Sequence, residues 1–254
     1  MASQFIEWTI KYQIPVKNIL HIGAHLVQER EDYNSIGAKK VYWVEAMPWI
    51  AEESKKLLEL YPNQKLFCTL LWSLPGVMRE FYIAGNNGSS SSTLKPFLIS
   101  ASHPEVQITQ SVFLETSTLD QLMDSEVDLI GCGNILILDT QGAELNVIQG
   151  GINSLNQFDY VVAEVSLREL YSGATNFMKF SEEMKKFGYT LVAAEINRAT
   201  GWGDALYIED SIFLTQELCT EVNYSGRKLG IRTVIRSILM RLKRKTSELI
   251  PARK

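Results

Sequence analysis

The chain has 254 residues, 46% of them hydrophobic and 21% charged, which excludes collagen-like, coiled-coil and broadly disordered classes and leaves one large domain or a domain with an appendage. No apolar run reaches the roughly 18 residues needed to span a bilayer. The overall charge of −4 is unevenly divided: residues 227–254 hold ten Lys or Arg against one acid, so this stretch carries +9 and the preceding body −13. An acidic body of this kind repels a nucleic-acid backbone, which makes nucleic acid an unfavoured partner. The start, with Glu7 inside its apolar stretch and no basic region, does not read as a secretory leader. Three scattered cysteines, Cys68, Cys132 and Cys219, form neither a disulfide framework nor a metal knuckle. Together these place the chain in the cytoplasm.

Strands and helices alternate along the body. Asn18–Gly23 is a short apolar run ending in glycine, read as a strand, and Leu26–Ser35 as a helix stopped by Gly37. Lys40–Glu45 is a second strand, and Pro48 opens a helix reaching Tyr61. Lys65–Leu71 is a third strand and Arg79–Ala84 a fourth at an edge; the Gly/Asn/Ser stretch 85–92 then makes a loop. Strand Ile108–Thr116 and helix Thr118–Met123 follow. Asn134–Asp139, flanked by Gly133 and Gly142, reads as a strand buried on both faces, the mark of a central parallel strand. Leu145–Leu155 is a helix broken at Gly150-Gly151. Strand Tyr160–Val165, helix Phe177–Phe187 and strands Tyr189–Ile196 and Asp204–Ile208 complete the body. The expectation is an open, mostly parallel α/β sheet with helices on both faces over residues 1–226, with 85–110 as an insertion on the substrate side.

In such sheets ligands bind beyond the carboxyl ends of the strands, at the point where strand order reverses. The turn His21-Ile22-Gly23-Ala24-His25 lies at such an end. Glu45-Ala46 closes the next strand, where an acid can accept hydrogen bonds from both ribose hydroxyls. A dinucleotide turn needs two further glycines, absent after Gly23, and Glu29 and Glu31 would repel a diphosphate. S-adenosylmethionine, which carries a ribose, a sulfonium and no phosphate, suits the acidic cradle better. Trp72-Ser73, after the third strand, is the candidate adenine contact.

Methyl transfer to an alcohol needs an acceptor oxygen held in line and a group to take its proton. Asp139 ends the most buried strand, beside the expected methyl position; a cap for the following helix is the lesser alternative. Glu164 ends the next strand inside an apolar run, Glu144 opens the helix between them, and His103 lies in the segment covering the acceptor. A divalent cation is a further option if the strands of Asp139, Glu164 and Asp204 are neighbours; no His/Cys cluster has zinc-ligand spacing.

Ile22-Gly-Ala-His25, Gly37 to Glu45, Ser89 to Ser92, Ser117-Thr-Leu-Asp120, Leu138-Asp-Thr-Gln-Gly-Ala-Glu144 and Val161-Val-Ala-Glu164 resemble, in this order, the FkbM-type methyltransferases. The resemblance spans roughly residues 18–210. It implies an S-adenosylmethionine-dependent O-methyltransferase on a seven-stranded class I, Rossmann-like sheet, often acting on sugars or polyketide hydroxyls. His21 stands where the family commonly has an acid, and Val27 where it commonly has glycine. Methylation of protein or nucleic acid, and a non-catalytic nucleotide-binding role, are the alternatives.

The tail, 227–254, has its own pattern. Ile231, Val234, Ile235, Ile238, Leu239 and Leu242 form one stripe of a helix, flanked by Arg232, Arg236, Arg241 and Lys243–Lys245. A basic amphipathic helix of this kind suits an anionic membrane surface, on the inner face of the membrane, or an acidic partner. Packing of the stripe on the body is the alternative.

Overall fold

The computed structural model describes residues 2–99, 106–129, 131–197, 199–215, 221–224 and 227–228. His103 and the apolar stripe 231–242 therefore lie outside the described residues. The strands are β1 (Asn18–Ile22), β2 (Lys40–Glu45), β3 (Gln64–Cys68), β4 (Leu70–Leu71), β5 (Met78–Ala84), β6 (Ile108–Ser117), β7 (Asn134–Leu138), β8 (Tyr160–Ser166), β9 (Tyr189–Ile196), β10 (Trp202–Glu209), β11 (Glu221–Tyr224) and β12 (Arg227–Lys228). The helices are α1 (Ala2–Lys11), α2 (Arg30–Ser35), α3 (Pro48–Leu57), α4 (Leu119–Ser125), α5 (Glu144–Gln149), α6 (Phe177–Lys186) and α7 (Asp210–Thr215).

The main sheet runs β12-β11-β9-β10-β8-β7-β1-β2-β3. Its central members β8, β7, β1, β2 and β3 pair in parallel, and β10 enters antiparallel between β8 and β9. Seven of these strands make the expected mostly parallel sheet. The short β11 and β12 extend it at one edge, so the expected count of seven becomes nine and the first two tail residues, Arg227 and Lys228, pair with β11. Strand order reverses between β1 and β7, which places the switch point at Gly23 and Asp139.

Alternation along the buried strands feeds two cores. Leu20, Ile22, Val44, Leu136 and Leu138 face one side, against Leu119 and Leu122 of α4, Val147 and Ile148 of α5 and Phe180 of α6. Ile19, Val41, Trp43, Ile135 and Ile137 face the other, against Phe5 and Trp8 of α1, Tyr33 of α2 and Ala51 of α3. Fully burying one such side chain contributes about 1.5–3 kcal/mol, so both helical layers are held by apolar contact with the same strands.

Three expectations change. The apolar run Lys65–Leu71 is not one strand: it leaves the main sheet at Thr69, and β4 joins a separate three-stranded sheet of order β4-β6-β5. The edge strand expected at 79–84 is β5 of that second sheet, antiparallel to β6. The helix expected from Leu26 begins only at Arg30, because His25 (φ 43°) and Val27 (φ 48°) adopt left-handed backbone that no helix accepts.

Candidate active site

The turn after β1 is built on Gly23. Its φ is +91°, and a Cβ placed there would lie 1.8 Å from the Asp139 carbonyl oxygen. The neighbours cannot withdraw, because the Gly23 and Ala24 amides both donate to the Val44 carbonyl at 2.9 Å and the Asp139 amide donates to the Ile22 carbonyl at 2.9 Å. The glycine that sequence reading reserved for close approach of a ligand is thus also required for close approach of β7.

Glu45 is buried at the end of β2. Its Oε2 accepts the His25 amide and its Oε1 the Met47 amide, each at 2.8 Å. Burial raises the carboxyl above the usual range while these backbone donors pull it down. Each oxygen keeps a further lone pair, since an ionised carboxylate can accept about four hydrogen bonds.

Gly23, His25, Glu45, Ala46 and Asp139 line one cleft that opens to solvent. Leu70, Leu71 and Phe81 give it an apolar wall, and Gly88, Ser89, Ser91 and Thr93 of the 85–93 loop lie across it. That loop is tied down from three elements. His25 Nε2 donates to the Asn87 carbonyl at 2.8 Å, the Ser92 hydroxyl to the Gln141 carbonyl at 2.9 Å, and the Tyr171 hydroxyl lies 3.2 Å from the Ser90 carbonyl. Ala24 is buried beneath the turn, outside the lining. Trp72 and Ser73 do not line the cleft either; the Arg79 guanidinium covers the Trp72 ring at 3.8 Å.

His21 points to the opposite face of β1. Its ring packs 5.0 Å from Trp43, its Nδ1 lies 3.0 Å from the Tyr33 hydroxyl, and its Nε2 is buried without a hydrogen-bond partner. Burial depresses its pKa to about 4 although Asp139 pulls the other way, so the imidazole is neutral at physiological pH.

Gln141 is the residue that sequence reading missed. It holds left-handed backbone (φ 54°), and its Nε2 donates both to Asp139 Oδ1 at 2.7 Å and to Glu164 Oε2 at 2.8 Å. Its Oε1 accepts from the Tyr171 hydroxyl at 2.8 Å. One amide therefore spans the two candidate carboxyls. Burial raises both, Glu164 well above the usual range with Asp139 and Glu144 adding to the effect. Glu144 Oε1 accepts from the Thr140 amide (2.9 Å), the Thr140 hydroxyl and the Gly142 amide (both 3.1 Å), so this acid shapes the 139–144 loop.

β7, β8 and β10 are neighbours, as a cation shared by Asp139, Glu164 and Asp204 would require. Among the described residues, however, no group of three or more His, Cys, Asp or Glu is arranged to hold a metal ion. No helix among them is long and apolar enough to cross a membrane.

These acids predict a pH profile. Burial lifts Glu144 from 4.5 to about 7 and Asp204 from 3.8 to about 6. The stability each contributes is present below its unfolded value and is lost as pH rises through its folded value. His21 works in reverse, losing its contribution as pH falls from 6.5 towards about 4. Up to about pH 6 the two acids outweigh the imidazole, between about 6 and 6.5 Glu144 and His21 offset each other, and from 6.5 to about 7 the imidazole is neutral in both states and Glu144 acts alone. The melting temperature should therefore fall between pH 5.5 and 7.5; a rise across that interval would mean that the acids are ionised in the folded protein.

The sequence profile of the Methyltransferase FkbM domain matches residues 21–191. The chain belongs to the FkbM methyltransferase family. Its methyl donor is S-adenosylmethionine. Among curated proteins, none matches this methyltransferase. Among solved structures, it is similar to the magnesium protoporphyrin IX methyltransferase of Synechocystis with bound SAM, with a TM-score of 0.48 at 9% identity over 82% of this chain and 77% of that one. A putative RNA methyltransferase of Pyrococcus horikoshii gives a TM-score of 0.44 at 11% identity over 82% of each chain. A SAM dependent methyltransferase of Aquifex aeolicus gives 0.45 at 7% identity over 82% of this chain and 88% of that one.

The residues present fit this donor. Among the described residues no lysine or arginine lines the cleft, two carboxyls (Glu45 and Asp139) do, and an apolar wall stands beside them. That set suits a cationic sulfonium, a ribose and an uncharged purine, and disfavours a diphosphate.

Proposed function

We propose that this methyltransferase transfers a methyl group to a hydroxyl of a sugar, glycan or other small molecule. In this reading Glu45 accepts the ribose hydroxyls, the Gly23–His25 turn and Ala46 border the donor, and Leu70, Leu71 and Phe81 contact adenine. When bound there, S-adenosylmethionine would supply a methyl group made electrophilic by its sulfonium, with a neutral thioether as leaving group.

The observation that supports an alcohol acceptor is the amide bridge from Gln141 to Asp139 and Glu164. An alcohol must shed its proton as the new bond forms. Asp139, lining the cleft with one oxygen committed to Gln141, has the other to receive that proton. Glu164 shares the amide and holds Gln141 in place. A cleft whose described walls carry no basic residue supports a small acceptor over a nucleic-acid strand.

S-adenosylhomocysteine should raise the melting temperature of the full chain and NAD should not; the reverse result would overturn the methyltransferase reading. Transfer of a carbon-13-labelled methyl, identified as an O–CH3 ether by the chemical shift of its carbon in the product, would separate O-methylation from other acceptors.

We further infer that the basic stretch 227–254 docks the enzyme on an anionic membrane surface, each Lys or Arg contributing about 1 kcal/mol near such a surface. The full chain should sediment with phosphatidylserine vesicles at low salt, and a chain truncated after Ser225 should not. Equal sedimentation of the two would remove the tail from membrane binding.

A further inference from the structure

Gln141 and Gly142 both hold left-handed backbone, with φ 54° and 97°. Gly142, without a side chain, makes room for the Tyr171 ring: a Cβ placed there would lie 3.3 Å from Tyr171 Cδ2 and 3.4 Å from its Cβ. Tyr171 is buried and fixed at its backbone. It forms an antiparallel bridge with Pro96, its carbonyl accepts from the Ala174 amide at 3.0 Å, and the Ser172 amide donates to the Lys95 carbonyl at 2.8 Å. The hydroxyl therefore reaches Gln141 from a segment that carries neither candidate carboxyl, and Tyr171 is not among the walls of the donor cleft.

The hydrogens at this junction can be counted. A glutamine amide has two N–H hydrogens and one oxygen. Here both hydrogens go to carboxyls, Asp139 Oδ1 at 2.7 Å and Glu164 Oε2 at 2.8 Å, and the oxygen meets the Tyr171 hydroxyl at 2.8 Å. Burial raises Tyr171 above the usual phenol range, with Glu164, Glu144 and Asp139 adding to the effect, so it keeps its single hydrogen. Two acceptors lie within reach of that hydrogen: Gln141 Oε1 and, at the longer distance of 3.2 Å, the Ser90 carbonyl. On Oε1 it locks the amide from its far end. Without it the amide oxygen loses this donor and the group is free to turn over, which sets oxygen against the two carboxyls. Burial raises the Asp139 carboxyl, and the Gln141 hydrogen bond is among the contacts that pull it back.

We propose that Tyr171 is a positioning residue: by giving its hydrogen to Gln141 Oε1 it holds both amide N–H groups on Asp139 and Glu164, and so keeps the Asp139 carboxylate ready to take the acceptor's proton. The proposal rests on the reading of Asp139 as the base and adds the group that orients it from outside the cleft. The other titratable groups that act on this carboxyl are His21 on β1, Glu29 ahead of α2, Glu144 on α5, Glu164 on β8 and Asp204 on β10. All of them stay in place when only position 171 or 141 is changed.

The test is carbon-13 titration of the full chain, labelled at the Asp and Glu side-chain carboxyls, with the Asp139 signal assigned by its absence in Asp139→Asn. Glu164 is followed alongside, because neighbouring acids share their protons. Tyr171→Phe should make Asp139 bind its proton about ten-fold more tightly, displacing its curve to higher pH. In Gln141→Met there is no amide to orient, and adding Tyr171→Phe should change that affinity by less than about two-fold. A further measurement needs no variant of Tyr171: the two side-chain N–H hydrogens of Gln141, assigned by their absence in Gln141→Met, should exchange with water more slowly than those of an exposed glutamine. An unmoved Asp139 curve in Tyr171→Phe, an equal displacement in the Gln141→Met background, or fast exchange at Gln141 would overturn the proposal. The titration uses neither donor nor acceptor. Absence of the S-adenosylhomocysteine thermal shift in the wild-type chain would instead overturn the methyltransferase reading.

Discussion

Gly23→Ala should cost the protein a third or more of its stability before any ligand is considered. The new Cβ would sit 1.8 Å from the Asp139 carbonyl oxygen, in a backbone conformation of φ +91°. Left-handed backbone costs a residue with a side chain about 1–2 kcal/mol, and forcing an extra carbon into packed surroundings typically costs about 1–3 kcal/mol more. Here the obstacle is backbone, fixed by the ladder between Ile22 and Asp139, so the upper end applies. Set against a total of about 5–15 kcal/mol for a domain, the loss should appear as a lower urea midpoint or as insoluble protein. The measurement is made without cofactor. A variant that unfolds at the wild-type midpoint and merely binds S-adenosylhomocysteine less well would show that Gly23 serves the ligand alone.

Asp139→Asn should lower turnover by about 10²–10⁴-fold, the usual contribution of a general base. The asparagine oxygen can still accept from Gln141 Nε2, so the bridge to Glu164 is kept and only the capacity to take a proton is lost. Affinity for S-adenosylhomocysteine should stay within about three-fold. Glu45→Ala should do the opposite, weakening that affinity ten-fold or more, because it removes the proposed ribose acceptor and also strands the His25 and Met47 amides. Calorimetric titration and single-turnover rates of both variants separate the two roles. If each variant lowers binding and rate in the same proportion, Asp139 and Glu45 do not divide the work in this way.

The buried strands were legible because their periodicity and flanks agreed. Asn18–Ile22, Lys40–Glu45 and Asn134–Leu138 lie where apolar runs end in glycine or an acid. Continuous apolar runs conceal where a chain changes sheet, so the departure at Thr69 could not be read from Lys65–Leu71. α1 escaped notice because its apolar residues Phe5 and Trp8 give only one helical repeat, with no capping box before it. Within the site, attention to titratable groups found Glu45, Asp139 and Glu164 but passed over Gln141, which carries no charge. Its one signal was its place inside Asp139-Thr-Gln-Gly-Ala-Glu144, the most distinctive block of the chain. Trp72 misled for the converse reason: an aromatic residue after a strand reads as a ring platform, and only the fold reveals that Arg79 already occupies its face.

The order of the main sheet also bears on how the chain is made. β1 has β2 on one side and β7 on the other, and Asn18 pairs with Lys40 and with Asn134. As the chain leaves the ribosome, β1, β2 and β3 can associate at once, whereas β7 follows Cys68 by 65 intervening residues. At ~5–20 residues per second, the open edge of β1 waits about 3–13 s for its second neighbour. Throughout that interval Asn18-Ile-Leu-His-Ile22 presents a bare row of amides and carbonyls beside side chains destined to be fully buried, the configuration most prone to pairing with a foreign strand. The second sheet, β5 with β6, is synthesised inside the same interval and closes on itself by local antiparallel contact, so it can mature while the larger sheet stands half built.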